Sequence, residues 1–317
     1  MAVAESELTY VSRRRRRLTR SRITSAVAPY VLLLPAAGVI GAVLGYPLYL
    51  LVRLSLEKYG LFELVRHKGT WIGVDNYTTI FHDAQFWHVV GRTIVFTAVN
   101  VALTMVLGTA IALLIARVGR FMRLLLTTGL VLVWATPVVV AVNIWRWMVD
   151  YEFGVANWTL TKLHVGHFTH HDWFANTWSG FGVITAVIVW GAIPFVAITV
   201  FAGLSQVPRE LVEAAEIDGA RSWNVFREIT LPLLKPIFVI LTSLSIIWDF
   251  QVFNQVWIML GERPSPDYYV MGIYAYVESF GINEYGLGSA IAVVMVGIMM
   301  CVTVVYIRQM VKTGEVR

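Results

Sequence analysis

Residues 204–235 read LSQVPRELVEAAEIDGARSWNVFREITLPLLK, a polar interval between two strongly apolar runs. Pro208 suits the first turn of a helix, where its missing N–H is not needed. Residues 208–218 are good helix formers. Leu211, Ala214, Ala215 and Ile217 give that helix a partly apolar surface, and the two alanines let another backbone approach closely. Gly219 suits the left-handed conformation that ends a helix. Ser222 is placed to cap a second helix that presents Trp223, Phe226 and Ile229. Pro232 and Pro236 punctuate the return to apolar chain. The spacing predicts a helix-turn-helix lying on a membrane face with a small-residue ridge exposed.

The membrane follows from the rest of the chain. Of 317 residues, 57% are hydrophobic and only 14% are charged, against roughly 25% charged in soluble domains. The mean hydropathy is +0.68. A soluble domain of this length has too little interior to hide that much apolar surface. A spanning helix needs ~20 apolar residues. Six stretches meet the requirement, at about 26–52, 89–115, 124–148, 181–203, 236–259 and 287–307. The first is too long for a cleaved signal and reads as a retained anchor. The expected class is an all-α integral membrane protein with six transmembrane helices. Its parts are a basic N-terminus (1–25), the six-helix domain (26–307, containing the 204–235 loop) and a short tail (308–317).

Charge sets the orientation. With the N-terminus inside, the inner segments 1–25, 116–123, 204–235 and 308–317 hold 17 of the 25 Lys and Arg residues. Both termini are then cytoplasmic. Arg13 to Arg17, Arg20 and Arg22 read as a topology determinant resting on anionic membrane lipid rather than as a nucleic-acid site, because a hydrophobic helix follows at once. The single cysteine, Cys301, permits no intrachain disulfide.

Segments 54–88 and 150–180 fall outside. Their Trp71, Tyr77, Phe81, Trp87, Trp158, Trp173 and Trp178 fit either an interfacial aromatic belt or a docking surface for an external protein. His164, His167, His170 and His171 form an H-x2-H-x2-H-H cluster. With no cysteine and no evident rigid frame, it reads as a solvated loop and not a metal site. Asn76-Tyr-Thr78 and Asn157-Trp-Thr159 fit the glycosylation pattern. Gly286-Leu-Gly288-Ser289 reads as small residues for close helix packing.

The hairpin resembles the EAA loop of the permease subunits of ATP-binding cassette importers. Glu213-Ala214-Ala215, three residues, Gly219, nine residues and Ile229-Thr-Leu231-Pro232 match that pattern in every fixed position and both gaps. The resemblance extends over almost the whole chain. Gly73-Val-Asp75-Asn76-Tyr77, Trp145-Arg146-Trp147-Met148 and Phe250-Gln251-Val-Phe253-Asn254-Gln255-Val-Trp257 are similar to segments of the carbohydrate-importer group, the maltose, trehalose and glycerol-phosphate type. The arginine-rich composition resembles the first permease of actinobacterial trehalose importers. One departure is Glu262-Arg263-Pro264, which replaces the usual glycine-rich turn. The resemblance implies half of a translocation path for a sugar, a disaccharide such as trehalose or maltose. The partners would be a second permease subunit, a pair of ATPase subunits and an extracytoplasmic substrate-binding protein. The alternatives are a permease for glycerol-phosphate or another solute, or a stand-alone secondary transporter, although no internal repeat is evident.

None of the five lysines follows a glycine, so the chain has no Gly-x4-Gly-Lys-Ser/Thr loop. It is not expected to be an enzyme or to bind a cofactor; ATP and Mg belong on the partner ATPase. What remains is coupling. Glu213, Ala214, Ala215, Asp218 and Gly219 are the candidate ATPase-contacting residues. The path is expected to be lined by polar or irregular points within helices. Pro137 and Pro194 are expected to interrupt the third and fourth spans. In the fifth, Thr242, Ser245 and Asp249 share one helical face, and Gln251, Asn254 and Gln255 another. Trp190, Gln251 and Asn254 could offer a sugar an aromatic face and hydrogen bonds. Asp249 suits a structural or gating role on that path, since a neutral sugar has no charge to pair with. The competing reading for these polar groups is hydrogen bonding between helices.

Overall fold

The computed structural model describes residues 30–312; the arginine run at 13–22 and the end of the tail lie outside the described residues. The structure is built of helices, with one two-stranded antiparallel ribbon, β1 (Glu57–Lys58) against β2 (Thr70–Trp71). Four described helices are long and apolar enough to cross a membrane: α1 (Tyr30–Ser55), α4 (Ala84–Arg117), α8 (Thr177–Leu204) and α14 (Tyr285–Lys312). Between α1 and α4 lie two short helices, α2 (Leu61–Arg66) and α3 (Asp75–His82).

The third and fifth predicted spans are not straight rods. The third is α5 (Arg120–Trp134) and α6 (Val138–Met148), bent by 98°. Pro137 is the N-cap of α6, and a proline there both lacks an N–H and drives the preceding residue out of the helical region. The fifth begins as α10 (Ser222–Leu233), turns by 75° and enters the membrane as α11 (Lys235–Phe250). It stops at Phe250 and not at 259. Its 16 residues span about 24 Å at 1.5 Å per residue, less than the ~30 Å hydrocarbon core. After a break at 251–253 the chain resumes as α12 (Asn254–Met259). With each bent pair counted as one span, the described chain has six.

Prolines also explain two widened turns. The π segments Gly41–Gly45 and Phe226–Thr230 each end two residues before a proline, Pro47 and Pro232. A proline ring collides with the carbonyl four residues back, and opening the preceding turn relieves the collision. Pro194 behaves differently. It was expected to interrupt the fourth span, yet α8 runs through it unbroken. Pro194 is buried, and α8 is held by α4 along its length, so tertiary packing outweighs one missing backbone bond.

Among the described residues, those up to Leu54 and those from Ser55 onward form separate compact units. In the larger one, α4 and α8 make the most extensive helix pair. They approach closely at Gly108, where an added Cβ would lie 2.6 Å from Val196 Cγ1. Three apolar clusters follow one another along the helices. One holds Phe96, Val142, Ile184, Val187, Val252 and Met259; a second holds Phe86, Val89, Phe250, Met271 and Ile291; a third holds Ala112, Val196, Val200, Leu234 and Leu241. α13 (Met271–Tyr276) closes the second cluster, with the Tyr274 hydroxyl donating to Asp83 Oδ2 at 2.9 Å. Burial, then that hydrogen bond, push the phenol above its ordinary ionisation range, so it stays a donor. The expected close packing at 286–289 is present: a Cβ on Gly286 would strike the Glu57 carbonyl, and one on Gly288 the Ser279 side chain.

Gly108→Val should overfill the α4–α8 contact and lower stability by about 1–3 kcal/mol. Thermal unfolding in detergent checks this, with Val196→Ala in the same chain restoring part of the loss. An unchanged midpoint in the single variant would mean the helices are not in contact there.

Candidate coupling hairpin and substrate path

The 204–235 segment folds as the predicted helix-turn-helix. α9 (Arg209–Ile217) starts after Pro208, whose extended ψ of 125° makes it the N-cap. The helix ends in a Schellman turn. Gly219 N–H donates to Glu216 O (3.1 Å), Ala220 N–H donates to Ala215 O (2.9 Å), and Gly219 sits at φ +82°. Ser222 is not the cap of the next helix. Arg221 holds the extended N-cap position and Ser222 is the first helical residue. Glu213, Ala214, Asp218 and Gly219 are exposed and Ala215 is half-buried. Large apolar side chains stand beside them: Ile217 is 86% exposed, Trp223 67% and Leu211 47%. At its root the hairpin is anchored. Leu234 is buried with Ala112, Val196, Val200 and Leu241, and Val207, Leu204 and Ile237 pack on the same cluster.

The fifth-span residues divide. Thr242, Ser245 and Asp249 lie on α11 as expected, with Ser245 and Asp249 buried. Gln251 and Asn254 do not form a second helical stripe with Gln255. Gln251 caps the end of α11 and Asn254 opens α12, so the break lies between them, and both are exposed. Trp190 is half-buried on α8 and meets Trp145 edge to face, with centroids 6.0 Å apart.

A row not anticipated from the sequence faces inward from α4: Thr93, Thr97, Asn100 and Thr104, all buried. Thr93 is fully used, donating to Val89 O (2.7 Å) and accepting from Met271 N–H (2.9 Å). Asn100 donates to Phe96 O (2.9 Å), but its Oδ1 has no partner among the described residues. The same holds for the Oγ1 atoms of Thr97, Thr104 and Thr109 and for Asp249 Oδ2. α4 and α11 pack together. Leu241 clusters with Ala112 and Phe250 with Val89. The order of these clusters makes the two helices antiparallel. The spacing i, i+4, i+7, i+11 inside an apolar span was the available signal.

The outer segments are folded. Asn76 Nδ2 donates to Ser55 O and Glu57 O at 2.9 and 3.0 Å. Asn157 Nδ2 donates to Asp150 O and His171 O, and its Oδ1 accepts from Trp173 Nε1 at 2.6 Å. Both asparagines of the glycosylation patterns are thus buried pegs. The histidine stretch, expected to be solvated, leaves His164, His167 and His170 exposed, but the 150–180 segment that carries it is framed as a small module. α7 (Val155–Lys162) packs beside Trp173, which stacks on Phe168 (5.6 Å, 9°) and meets His171 edge-on (4.9 Å). Asp150 Oδ1 accepts from the N–H groups of Glu152 and Phe153, which hold the carboxyl below its ordinary range. No group of three or more His, Cys, Asp or Glu among the described residues is placed to hold a metal. Where Glu262-Arg263-Pro264 departs from the glycine-rich turn, Gly261 and Glu262 are both left-handed, at φ 66° and 62°.

Residues 105–312 match the family described as the binding-protein-dependent transport system inner membrane component. The chain belongs to this family. It is therefore a multi-pass permease component, of the kind that works with ATPases carried on other subunits. Among curated family members it is 43% identical to the diacetylchitobiose uptake system permease DasB of Streptomyces coelicolor over 300 residues, covering 94% of this chain and 92% of that one. Identity is 30% to the trehalose transport permease SugA of Mycobacterium tuberculosis, over 92% of this chain and 91% of that one. It is also 30% to the trehalose/maltose permease MalF of Thermococcus litoralis, over 81% and 88%. The fold matches a chain in the crystal structure of a bacterial ABC transporter that imports the acidic polysaccharide alginate. The TM-score is 0.74 at 21% identity, covering 92% of this chain and 99% of that one.

Gly219→Val should fray the end of α9, since a β-branched residue in the left-handed region costs at least ~1–2 kcal/mol. Gly219→Asn should be much milder. Amide hydrogen exchange over 209–220 reads the difference, and equal protection in both variants would contradict the left-handed turn.

Proposed function

We propose that this chain is one permease half of a sugar importer, and that it receives the work of ATP hydrolysis through the 204–235 hairpin. The hairpin and both termini face the cytoplasm. A second permease completes the path, a pair of ATPases carries ATP and Mg, and an extracytoplasmic binding protein delivers the sugar. The observation that carries this reading is the contrast within the hairpin. Ile217, Trp223 and Leu211 are left in water, while the root at Leu234 is locked into the membrane domain. An exposed apolar ridge around Ala214 and Ala215 fits a groove on a partner, and Glu213 offers a charge for a basic residue there. When two ATPases close on nucleotide, a docked α9 would carry α8 and α11 with it. That motion would switch the cavity between its two openings as a rigid-body change.

The substrate is a neutral di- or oligosaccharide. The relatives quoted are named for diacetylchitobiose, trehalose and trehalose/maltose uptake. The 43% identity of the diacetylchitobiose permease puts an N-acetylated disaccharide ahead of trehalose. Trp190 and Asp249 serve the path from within the helix packing. Gln251 and Asn254 serve it from the break above α11.

Glu213→Ala and Gly219→Pro should insert normally but retain the ATPase pair weakly, cutting sugar uptake by about tenfold or more; loss of a few contacts at a buried charge pair is of that size. Pull-down of the ATPase with tagged permease, beside uptake of labelled disaccharides, is the check. Full ATPase retention with full uptake would remove the hairpin from coupling. Uptake into liposomes by this chain without any ATPase would end the importer reading.

A further inference from the structure

The outer module holds a cavity that the transport cycle described above does not use. It lies between α7 and the turn at 169–170, has a volume of about 490 Å3, and is lined by Tyr151, Glu152, Trp158, Lys162, Thr169 and His170 among others. Its frame is the module's own core. Asn157 ties Asp150 to His171 and Trp173, and Thr161 Oγ1 donates to Asn157 O (2.8 Å) and accepts from Phe168 N–H (3.2 Å). The aromatic groups on the wall are not needed for that frame. Trp158 is 64% exposed and Tyr151 is 51% exposed. Tyr151 is held by the His170 ring at 5.3 Å, and Glu152 by the Asp150 turn beneath it.

We propose that this cavity is a staging subsite for a neutral saccharide at the outer mouth of the path, a deepening that rests on the sugar-importer reading above. The wall combines apolar ring faces with a carboxylate, an ammonium, a hydroxyl and an imidazole. That mixture suits a molecule with C–H faces and a rim of hydroxyls. Lys162 and Glu152 carry opposite charges, so the wall has no net sign with which to select an anion or a cation. The volume lies within the range of small-molecule sites. A purely interfacial role for Trp158 would place apolar wall against lipid, whereas here the indole shares a concavity with Glu152 and Lys162.

The test uses the assembled transporter in nanodiscs without the binding protein, and three probes: diacetylchitobiose, maltose and trehalose. Saturation-transfer NMR should show saturable contact to the ring protons of at least one of them at millimolar concentration. Trp158→Ala should weaken that contact by about two- to tenfold, the size of an aromatic contact. It should raise the KM of uptake with the binding protein present while leaving kcat unchanged. Glu152→Gln gives a second reading that leaves the aromatic wall intact, and it should weaken contact as well. If both variants keep full contact and KM while uptake proceeds, the subsite is overturned and the importer reading stands. If Trp158→Ala instead weakens attachment of the sugar-free binding protein, with free-sugar contact unchanged, the cavity is a protein dock and the proposal is likewise overturned. Absence of uptake of all three sugars by the wild-type assembly would overturn the sugar reading and this proposal with it.

Discussion

The buried packing of Leu234 against Ala112, Val196 and Val200 is the contact on which the arrangement of the inner half depends. Leu234 is the elbow residue. Before it α10 turns away by 75°, and after it α11 enters the membrane. Pro232 and Pro236 on either side deny the backbone a continuous helix, so the direction of the chain at this point is set by side-chain packing. Val207 and Leu204 reach the same cluster from the end of α8. Both strands of the hairpin are therefore pinned at one place, and the segment between them can remain exposed without loosening the membrane domain.

The contact between α4 and α11 has a different character. It is apolar at both ends, through Leu241 and Ala112 at one and Phe250 and Val89 at the other. Within the helix packing α4 buries Thr97, Asn100 and Thr104, and α11 buries Ser245 and Asp249. Several of these keep a buried oxygen without a partner among the described residues. Buried oxygens of this kind normally bind protein groups or ordered water. Buried oxygens left unsatisfied inside packing that apolar clusters fix are the points least determined by this chain's own side chains. That is compatible with a path that has to present polar groups to a passing solute.

Much of this was legible in the residues, for physical reasons that differ from place to place. The hairpin was readable because its signals are local. Gly219 ends α9 through backbone geometry alone, and Pro208 marks its start. Span number was readable because hydropathy is additive along a window. Span shape was not. Pro137 breaks its helix and Pro194 does not, and the difference lies in what packs alongside, which a single sequence does not display. Gln251 and Asn254 were placed on one helical stripe because nothing between them is a helix breaker; the break at 251–253 is tertiary. The histidine-bearing loop looked unframed because its frame is made by Asn157 and Trp173, sixteen positions apart, joined by one hydrogen bond.

The break after Phe250 matters to transmission. In the proposed coupling, a force on α9 would reach the membrane through the elbow cluster, which joins the ends of α8 and α11. α8 is a long, unbroken helix packed on α4, so it would carry displacement from the inner face to the outer module, where Tyr268 donates to Phe174 O and Asn176 O just before α8 begins. α11 is short. It ends just after Asp249, and beyond the break at 251–253 α12 packs on α6. A long rod and a short rod driven from one root move by different amounts at their far ends. In the proposed coupling, that difference would convert a push on the hairpin into a relative displacement near Asp249 and the break that follows it.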